Sequence, residues 1–520
     1  MYIREKKNKS GSVSIQIISK ASGNYKVVET IGCTKNPDQV ERLVVQAKQK
    51  INQLSGQPRL LSIKSPTELA IEAFIANLSN SNILTLGPEL IFGTLFDRIG
   101  LGEINDELFR HLVVARLAYP TSKLGTIDYL YRYQRVEIKI DQIYRFLDEL
   151  ADKHQEQIET IIFNHTKQLL GGKIQVVFYD MTTLYFETES EDDLRKTGFS
   201  KDGKFHHPQI MLGLLTTTTG YPLGYELFPG NTFEGKTLIP AIRRLEEKFG
   251  LDKPVVVADA GLFSQKNLQA LSDGGYEYIL GARIKNESSN VKQQILDLKL
   301  SLQKPVGVIS KNPGDKQGQK HQDVRLIVGY SKSRATKDQF NRKKGLRRLE
   351  KRVKTGKLTK THLSSRGYNK YLQLQGKAEV QINYQKFNDD GVWDGLKGYI
   401  TNTRLKPETI ITHYSSLWLI EKAFRISKTD LRIRPIYHSK RNRIEAHLSI
   451  VFAAYAVYKE LERLLKKHQI PLSVKKAAKL THNMYALFYI DPETKIQKQI
   501  ILQMDQKQKL LYQLIHTTQS

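Results

Sequence analysis

The sequence is poor in cysteine and in long apolar runs. Cys33 is the single cysteine among 520 residues, which excludes an internal disulfide and a zinc site built from several cysteines. The longest apolar segment near the C-terminus, LSIVFAAYAVY at 448–458, is too short to span a bilayer. The basic N-terminus MYIREKKNKSGS is not followed by a hydrophobic region. We therefore expect a cytoplasmic protein without a membrane anchor or a secretory signal.

Acidic residues are scarce relative to basic ones. The chain has 53 Asp and Glu against 81 Lys and Arg, a formal net charge of +28. Such an excess favours a polyanionic partner, either nucleic acid or an anionic membrane. Nearly half of it lies in residues 331–380, where 16 Lys and Arg stand against three acids. Within this window we predict contacts to such a partner from Lys343, Lys344, Arg347 and Arg348.

The apolar pattern predicts an α/β protein in several parts. Residues 1–60 read as a small β-sheet plus one helix that starts near Asn36 and Pro37. Residues 61–165 read as a helical region, either a compact DNA-binding unit or a plain helical packing domain. Strand-like and helical runs alternate over 166–290, the first part of an α/β core. The remaining parts are a basic insertion at 291–400, the second part of the core at 401–470, and a helical tail at 471–520 that is a candidate for dimerisation.

Two strand-like runs end in an aspartate. The run VVFYD ends at Asp180, and PVVVAD ends at Asp259. Side chains at the carboxyl ends of strands in an α/β sheet point into the crevice where ligands bind. A strand-end aspartate taken singly more often caps a turn, so it is the pair that indicates a site.

A third carboxylate, Glu421, lies in the segment YSSLWLIEKAFRISKTDL. At about 100° per residue, one helix would place four further side chains on the same side as Glu421, namely Tyr414, Leu417, Arg425 and Lys428. Trp418 and Phe424 flank this side, so we predict a partly buried mixed face that they anchor. The alternative is a solvated face with an ordinary ion pair between Glu421 and Arg425.

Three carboxylates brought together repel one another unless a cation offsets their charge. The hard ions Mg²⁺ and Mn²⁺ prefer oxygen ligands. Two such ions about 4 Å apart can hold the attacking and leaving oxygens of a phosphodiester displacement. We therefore predict that Asp180, Asp259 and Glu421 are both the catalytic residues and the metal ligands, for two ions of Mg²⁺ or Mn²⁺.

These residues resemble the motifs of insertion-sequence transposases of the DDE type, in the group with a Tyr-Arg-Glu-Lys signature. Tyr414, Glu421 and Lys428 have the spacing of that signature, whereas Leu417 stands at the arginine position. The contexts YDMTTLYFE, VVADAGLFSQKNL and RIRPIYHSKRNRIEAHLSIVFAAYAVY are similar too. The resemblance covers roughly residues 100–470.

The resemblance implies a ribonuclease-H-like core that is interrupted by a mostly β insertion before the helix of Glu421. It implies hydrolysis of the DNA strand at the element ends, followed by attack of the freed 3′ hydroxyl on target DNA. The expected partners are double-stranded DNA, as inverted-repeat ends and as target, and a second copy of the chain in the DNA complex. Residues 61–165 are then a candidate for recognition of the element ends, the basic window at 331–380 is expected to contact DNA, and the protein is expected at the nucleoid. The DNA contacts near the acids are expected from Tyr414, Arg425, Lys428 and Arg434, with Arg425 replacing the missing arginine because its planar fork binds phosphate.

Two alternatives stay open. One is a metal-dependent nuclease on the same fold that cleaves DNA without joining strands. The other is a catalytically inactive protein that has kept only DNA binding. The three acids and Lys428 argue against an inactive protein, whereas Leu417 leaves it open.

Overall fold

The computed structural model describes residues 1–21, 23–55, 66–76, 78–79, 82–200, 203–262, 264–311, 324–355, 358, 362–364, 367–375, 379–491 and 494–517. The chain divides into two compact units: residues 1–80 with 489–498, and residues 81–488 with 499–520. Among the described residues, no helix combines the length and the apolar character needed to cross a membrane.

The first unit contains an antiparallel sheet and two helices. Its strands, in the sheet order β1-β2-β3, are β1 (Tyr2–Lys7), β2 (Val13–Ala21) and β3 (Asn24–Thr34). The helices are α1 (Pro37–Leu54) and α2 (Pro66–Ala76). Alternate residues of β2, Ile15 and Ile17, are fully buried together with Ala47 of α1. Helix α1 begins at the predicted Pro37, because proline at the first helical position loses no hydrogen bond.

The second unit is rich in helices, several of them extended by a π-helical turn. They are α3 (Thr94–Ile99), α4 (Glu107–Ala118), α5 (Lys123–Tyr129), α6 (Ile140–Glu149), α7 (Gln155–Leu169), α8 (Leu238–Phe249), α9 (Gln265–Asp273), α10 (Ser289–Asp297), α11 (Lys332–Lys354), α12 (Tyr384–Asp389), α13 (Pro407–Ser415), α14 (Trp418–Arg425), α15 (Arg441–Lys467), α16 (Val474–Thr481) and α17 (Gln506–His516). Helix α15 is buried along most of its length.

One large mixed sheet organises the second unit and confirms the α/β class. The remaining strands are β4 (Ile83–Thr85), β5 (Val176–Tyr185), β6 (Gln209–Thr216), β7 (Pro222–Pro229), β8 (Val255–Ala258), β9 (Tyr278–Ala282), β10 (Val306–Ser310), β11 (Arg325–Tyr330), β12 (Leu372–Gln375), β13 (Glu379–Ile382), β14 (Leu396–Thr401), β15 (Tyr485–Ile490) and β16 (Gln497–Ile501). The eight-stranded order is β10-β11-β14-β9-β8-β5-β6-β7, and β8 is parallel to both β5 and β9. Strands β12 and β13 form a separate pair, and β16-β15-β4 a small sheet.

Successive residues of the large sheet enter two different cores. Val177 and Tyr179 of β5 pack in the core that contains α8 and α9. Phe178, between them, packs in the core that contains α13, α14 and α15. Because side chains alternate across a strand, Asp180 projects to the same face as Phe178, toward α14.

The expected mostly β insertion is wrong for the described part of residues 291–400, which is mixed. Its longest element is the 23-residue helix α11, and its strands β10, β11 and β14 extend the large sheet. The apolar pattern did not predict helix α11, because its sequence is rich in Lys and Arg. These residues favour helix, but they leave too few apolar residues to show a helical period.

The tail at 471–520, expected to be helical, also contains β15 and β16. Strand β15 pairs with β4, so that Tyr485 lies opposite Thr85. A local pattern cannot reveal a pairing with a strand so much earlier in the chain. The tail is therefore corrected to a helix, two strands and a helix.

Candidate active site

Asp180 and Asp259 lie at matching levels of two parallel strands. Asp180 lies in the middle of β5, so the prediction that it ends its strand is wrong, whereas Asp259 directly follows β8 as predicted. The last residue pair between β5 and β8 is Tyr179 with Ala258, so the next residue on each side is an aspartate. Neighbouring strands lie about 4.8 Å apart, which brings the two acids to the same level of the sheet. Asp180 is half-buried, and its Oδ1 accepts a 2.7 Å hydrogen bond from the N–H of Met181. Asp259 is exposed directly after β8.

Glu421 lies on α14, the helix that contacts β5. This helix buries Ile420, Ala423 and Phe424 in the core that also contains Phe178, and it leaves Glu421 exposed. The helix of the third acid therefore covers the face onto which Asp180 projects. Within the ranges given above, no three His, Cys, Asp or Glu side chains lie close enough together to form a ready metal site.

Tyr414 is tied to the second acid. Its hydroxyl donates a 2.7 Å hydrogen bond to Oδ1 of Asp259, and the side chain is only 4% exposed. Burial raises the pKa of Tyr414, and the Asp259 carboxylate raises it further, so the phenol stays a donor. Gly281 makes room for it, because a Cβ there would lie 2.3 Å from the hydroxyl oxygen. The structure thus gives Tyr414 a carboxylate partner where a DNA phosphate was expected.

The segment from Tyr414 to Lys428 is not one regular helix. Helix α13 ends at Ser415, α14 starts at Trp418, and a π-helical turn covers 426–430. The predicted single face is therefore corrected, because a period of 100° per residue assumes an unbroken α-helix.

The side chains of this segment differ in burial. Leu417 is 8% exposed and packs in the same core as Tyr414. Arg425 is exposed like Glu421, and Lys428 is half-buried. Trp418 is 54% exposed, so the prediction that it anchors the helix is wrong, whereas Phe424 is buried as predicted.

Lys397 on β14 is a site residue that the sequence did not reveal. Its Nζ lies 4.3 Å from the ring centroid of Tyr414. Burial lowers the pKa of Lys397 and the charge of Arg334 adds to this, while the carboxylates of Asp259 and Glu421 oppose it. Both acids therefore act on one ammonium group. Nothing in the run GLKGYIT distinguishes this lysine from the many others.

A basic cavity of about 350 Å³ adjoins Asp259. Besides Asp259 and Tyr414, its lining includes the four cations Arg283, Lys285, Arg334 and Lys397. Lys285 is bound to Asp390 at 2.9 Å, and Arg334 lies 3.4 Å from Asp338. Several cations next to a carboxylate suit a substrate with an anionic group that lies close to Asp259.

The other predicted DNA contacts lie on two further elements. Lys343, Lys344, Arg347 and Arg348 are exposed on α11, which buries Leu349 on its other side. The guanidinium of Arg434 lies 5.6 Å from the ring centroid of Tyr185, the last residue of β5. The four side chains on α11 are therefore accessible to a partner, whereas Arg434 packs against an aromatic ring at the end of the strand that contains Asp180.

Residues 171–457 match the family described as transposase DDE domain, over more than half of the chain and all three acids. The chain belongs to this DDE transposase family. This chain is 25% identical over 253 residues to a curated relative, the transposase for insertion sequence element IS231E of Bacillus thuringiensis subsp. finitimus. The alignment covers 45% of this chain and 48% of that relative, so the chain spans about half the length of the curated relative it matches. The resemblance to insertion-sequence transposases is thereby confirmed.

Two solved structures are similar to this DDE transposase. The piggyBac transposase in its synaptic complex with hairpin DNA is 10% identical, with 76% of each chain covered and a TM-score of 0.37. The Mos1 transposase in its paired-end complex with the left transposon end is 13% identical, with 46% of this chain and 66% of that chain covered and a TM-score of 0.15. These TM-scores are too low to carry an argument about this chain.

Proposed function

We propose that this protein is a DNA transposase that hydrolyses the strand at the ends of its element and joins the freed 3′ hydroxyl to target DNA. The observation that supports this best is the matching position of Asp180 and Asp259 on parallel strands, beneath the helix of Glu421. The sheet order β7-β6-β5-β8-β9 supports the ribonuclease-H-like core that the resemblance implies.

The donor chemistry fits a hard divalent cation, because all three acids offer carboxylate oxygens, although within the described residues the three do not converge into a ready metal site. Asp180, Asp259 and Glu421 would hold Mg²⁺ or Mn²⁺. When bound, two such ions would stabilise the negative charge on the attacking and leaving oxygens of the phosphodiester displacement.

The chain's own residues orient the acids and the DNA. Tyr414 holds one oxygen of Asp259 by its hydrogen bond, which limits the rotation of that carboxylate. Lys397 and Arg334 line the basic cavity next to Asp259, where they bind a DNA phosphate close to the acids. Arg425, on the exposed end of α14, binds a second phosphate through its planar fork.

The remaining parts of the proposal concern binding outside the active site. The exposed basic side of α11 binds the DNA backbone, since phosphate neutralisation dominates affinity for DNA. The helical region predicted at 61–165 recognises the element ends, and a second copy of the chain joins the complex. The mass of the complex with end DNA, measured in solution, tests the dimer.

A strand-transfer assay with Mg²⁺ tests the proposal as a whole. Asp180→Asn, Asp259→Asn and Glu421→Gln are each expected to abolish cleavage and to leave end-DNA binding nearly intact, because each removes a metal ligand and no phosphate contact. Cleavage without joining would identify a nuclease instead. Binding without cleavage in the parent protein would identify an inactive DNA-binding protein.

A further inference from the structure

A second and larger cavity, of about 610 Å³, lies between α4, α5, α6 and the segment that leads into α15. We call it the α4–α15 cavity. Its lining includes six basic or imidazole side chains: Arg116, Lys123, Arg432, Arg434, His438 and His447. No carboxylate is among the described residues that line it. Arg432 is exposed at the rim of the cavity, whereas Arg116 and Lys123 are buried in its wall.

Two of these cations are almost completely buried. Arg116 is 5% exposed and Lys123 is 8% exposed. Nη1 of Arg116 donates a 3.0 Å hydrogen bond to the backbone oxygen of Thr121, whereas Nζ of Lys123 has no hydrogen-bond partner in the part of the chain that the structure describes. An unpaired buried charge is costly, and burial, with the nearby charge of Arg116, accordingly lowers the pKa of Lys123 well below its usual value. A ligand that supplies negative charge would remove this cost.

The two histidines respond to the same excess of charge. Their rings are 5.7 Å apart, and Nε2 of His447 donates a 3.0 Å hydrogen bond to the backbone oxygen of Ile433. Burial lowers the pKa of both histidines, and the charges of Lys123 and Arg116 lower it further. The cavity as it stands is short of negative charge.

The cavity lies at the far end of the strand that carries the first acid. Phe186 pairs with Ile436, and Arg434 lies over the ring of Tyr185. Tyr185 is five residues beyond Asp180, which corresponds to about 17 Å along a strand. A DNA strand held at the acids therefore reaches the cavity within a few nucleotides.

We propose that the α4–α15 cavity binds a phosphate group of a single DNA strand, with Arg116 and Lys123 as its ligands. The inference rests on the proposed function for the identity of the ligand. Guanidinium and ammonium groups are the side chains that proteins use for phosphate. The volume lies within the range of small-molecule sites, roughly 300–1,000 Å³, which admits one strand and excludes a duplex.

Single-strand binding is measured in the Asp180→Asn background with EDTA, so that neither cleavage nor metal contributes. The probe is a fluorescent single-stranded oligonucleotide, at fixed ionic strength. Lys123→Met, which keeps the length of the side chain, is expected to weaken binding about ten- to a hundredfold. Lys123→Arg should bind like the parent protein. Lys476→Met, which removes an exposed lysine of α16, is the matched control and should also bind like the parent.

Thermal unfolding without ligand gives a second readout. Lys123→Met should raise the midpoint temperature, because it removes an unpaired buried charge. A lysine with a purely structural role would lower it, and that result would overturn the proposal. Equal oligonucleotide affinity in the parent and in Lys123→Met would overturn it as well.

The source of the phosphate is tested separately with inorganic phosphate, against chloride at equal ionic strength. If inorganic phosphate raises the midpoint in a Lys123-dependent manner while the oligonucleotide does not, DNA is excluded as the source. Because the binding assay requires no catalysis, it remains informative if strand transfer fails. Conversely, the Lys123→Met variant could still join strands and bind the single-stranded oligonucleotide as tightly as the parent. That result would support the proposed function and overturn the proposal for the cavity.

Discussion

The hydroxyl of Tyr414 donates a hydrogen bond to Asp259, and this bond joins two distant parts of the chain. Tyr414 lies near the end of α13, just before the helix of Glu421, and Asp259 follows β8. The bond thus connects the surroundings of the second and third acids. It makes the orientation of Asp259 depend on the packing of a helix.

Removing this bond is expected to slow catalysis without unfolding the protein. A hydrogen bond to a charged group contributes about 1.5–3 kcal/mol, so Tyr414→Phe should lower the strand-transfer rate about tenfold or more. Tyr399→Phe is the control, because its ring lies 4.8 Å from that of Tyr414 and belongs to the same core. Single-turnover rates measure both variants, and equal rates would contradict a role for the bond.

Arg425 is expected to perform the role of the signature arginine, whose position is occupied by Leu417 in this chain. Arg425→Ala should lower the strand-transfer rate about ten- to more than a hundredfold if its bond to phosphate forms in the transition state. Arg425→Lys should recover only part of it, because an ammonium cannot form the planar fork. A parent-like rate in Arg425→Ala would place the phosphate contact elsewhere, with Arg434 as the next residue to test.

Leu417 and Trp418 are neighbours with opposite expected effects on stability. Leu417 is 8% exposed, so Leu417→Ala should lower the free energy of unfolding by about 2–5 kcal/mol. Trp418 is 54% exposed, so Trp418→Ala should cost less than that despite the larger side chain. Denaturant titration of both variants measures the difference, and a larger loss in Trp418→Ala would contradict the break between α13 and α14.

The basic side of α11 should determine the salt dependence of DNA binding. Changing Lys343, Lys344, Arg347 and Arg348 to Gln should reduce the slope of log affinity against log salt by up to about 0.9 for each phosphate that the variant no longer neutralises. The control changes three exposed lysines of α16 to Gln: Lys475, Lys476 and Lys479. An equal reduction in both variants would show a general effect of charge rather than a binding surface.

His438 should make the ligand-free protein less stable in mild acid. Burial lowers the pKa of His438 to about 4, with contributions from Lys123 on α5, Arg443 on α15 and Arg116 on α4, while Asp148 on α6 opposes them. The unfolded state, with a pKa near 6.5, takes up the proton first as the pH falls. The free energy of unfolding should therefore fall between about pH 6.5 and 4, by up to about 3 kcal/mol.

His438→Gln is expected to reduce this fall. Chemical denaturation of the parent and the variant at pH 7 and pH 5 measures the difference between them. His447 lies beside His438 and its pKa is also lowered by burial, so some pH dependence should remain in the variant. Parallel stability curves would show that His438 titrates normally in the folded protein.

Local patterns were sufficient to predict several elements, including the strands next to Asp180 and Asp259. The β-branched and aromatic run before Asp180 forms the first half of β5, which continues to Tyr185, and the shorter run before Asp259 forms β8. Pro37 is the first residue of α1, a position that suits proline because the N–H it lacks would have no partner within the helix. These elements were predicted correctly because propensity and periodicity act over a few neighbouring residues, whereas the roles of the three acids stay predictions.

Only the tertiary structure decided which side chains meet. Tyr414 reaches Asp259 because Gly281, on a neighbouring strand, leaves space for it. Lys397 joins the site because β14 pairs with β9. Such contacts depend on strand order and on breaks between helices, which no local period encodes. The α4–α15 cavity has the same origin, since its two buried cations and its two histidines come from segments separated by about three hundred residues of chain.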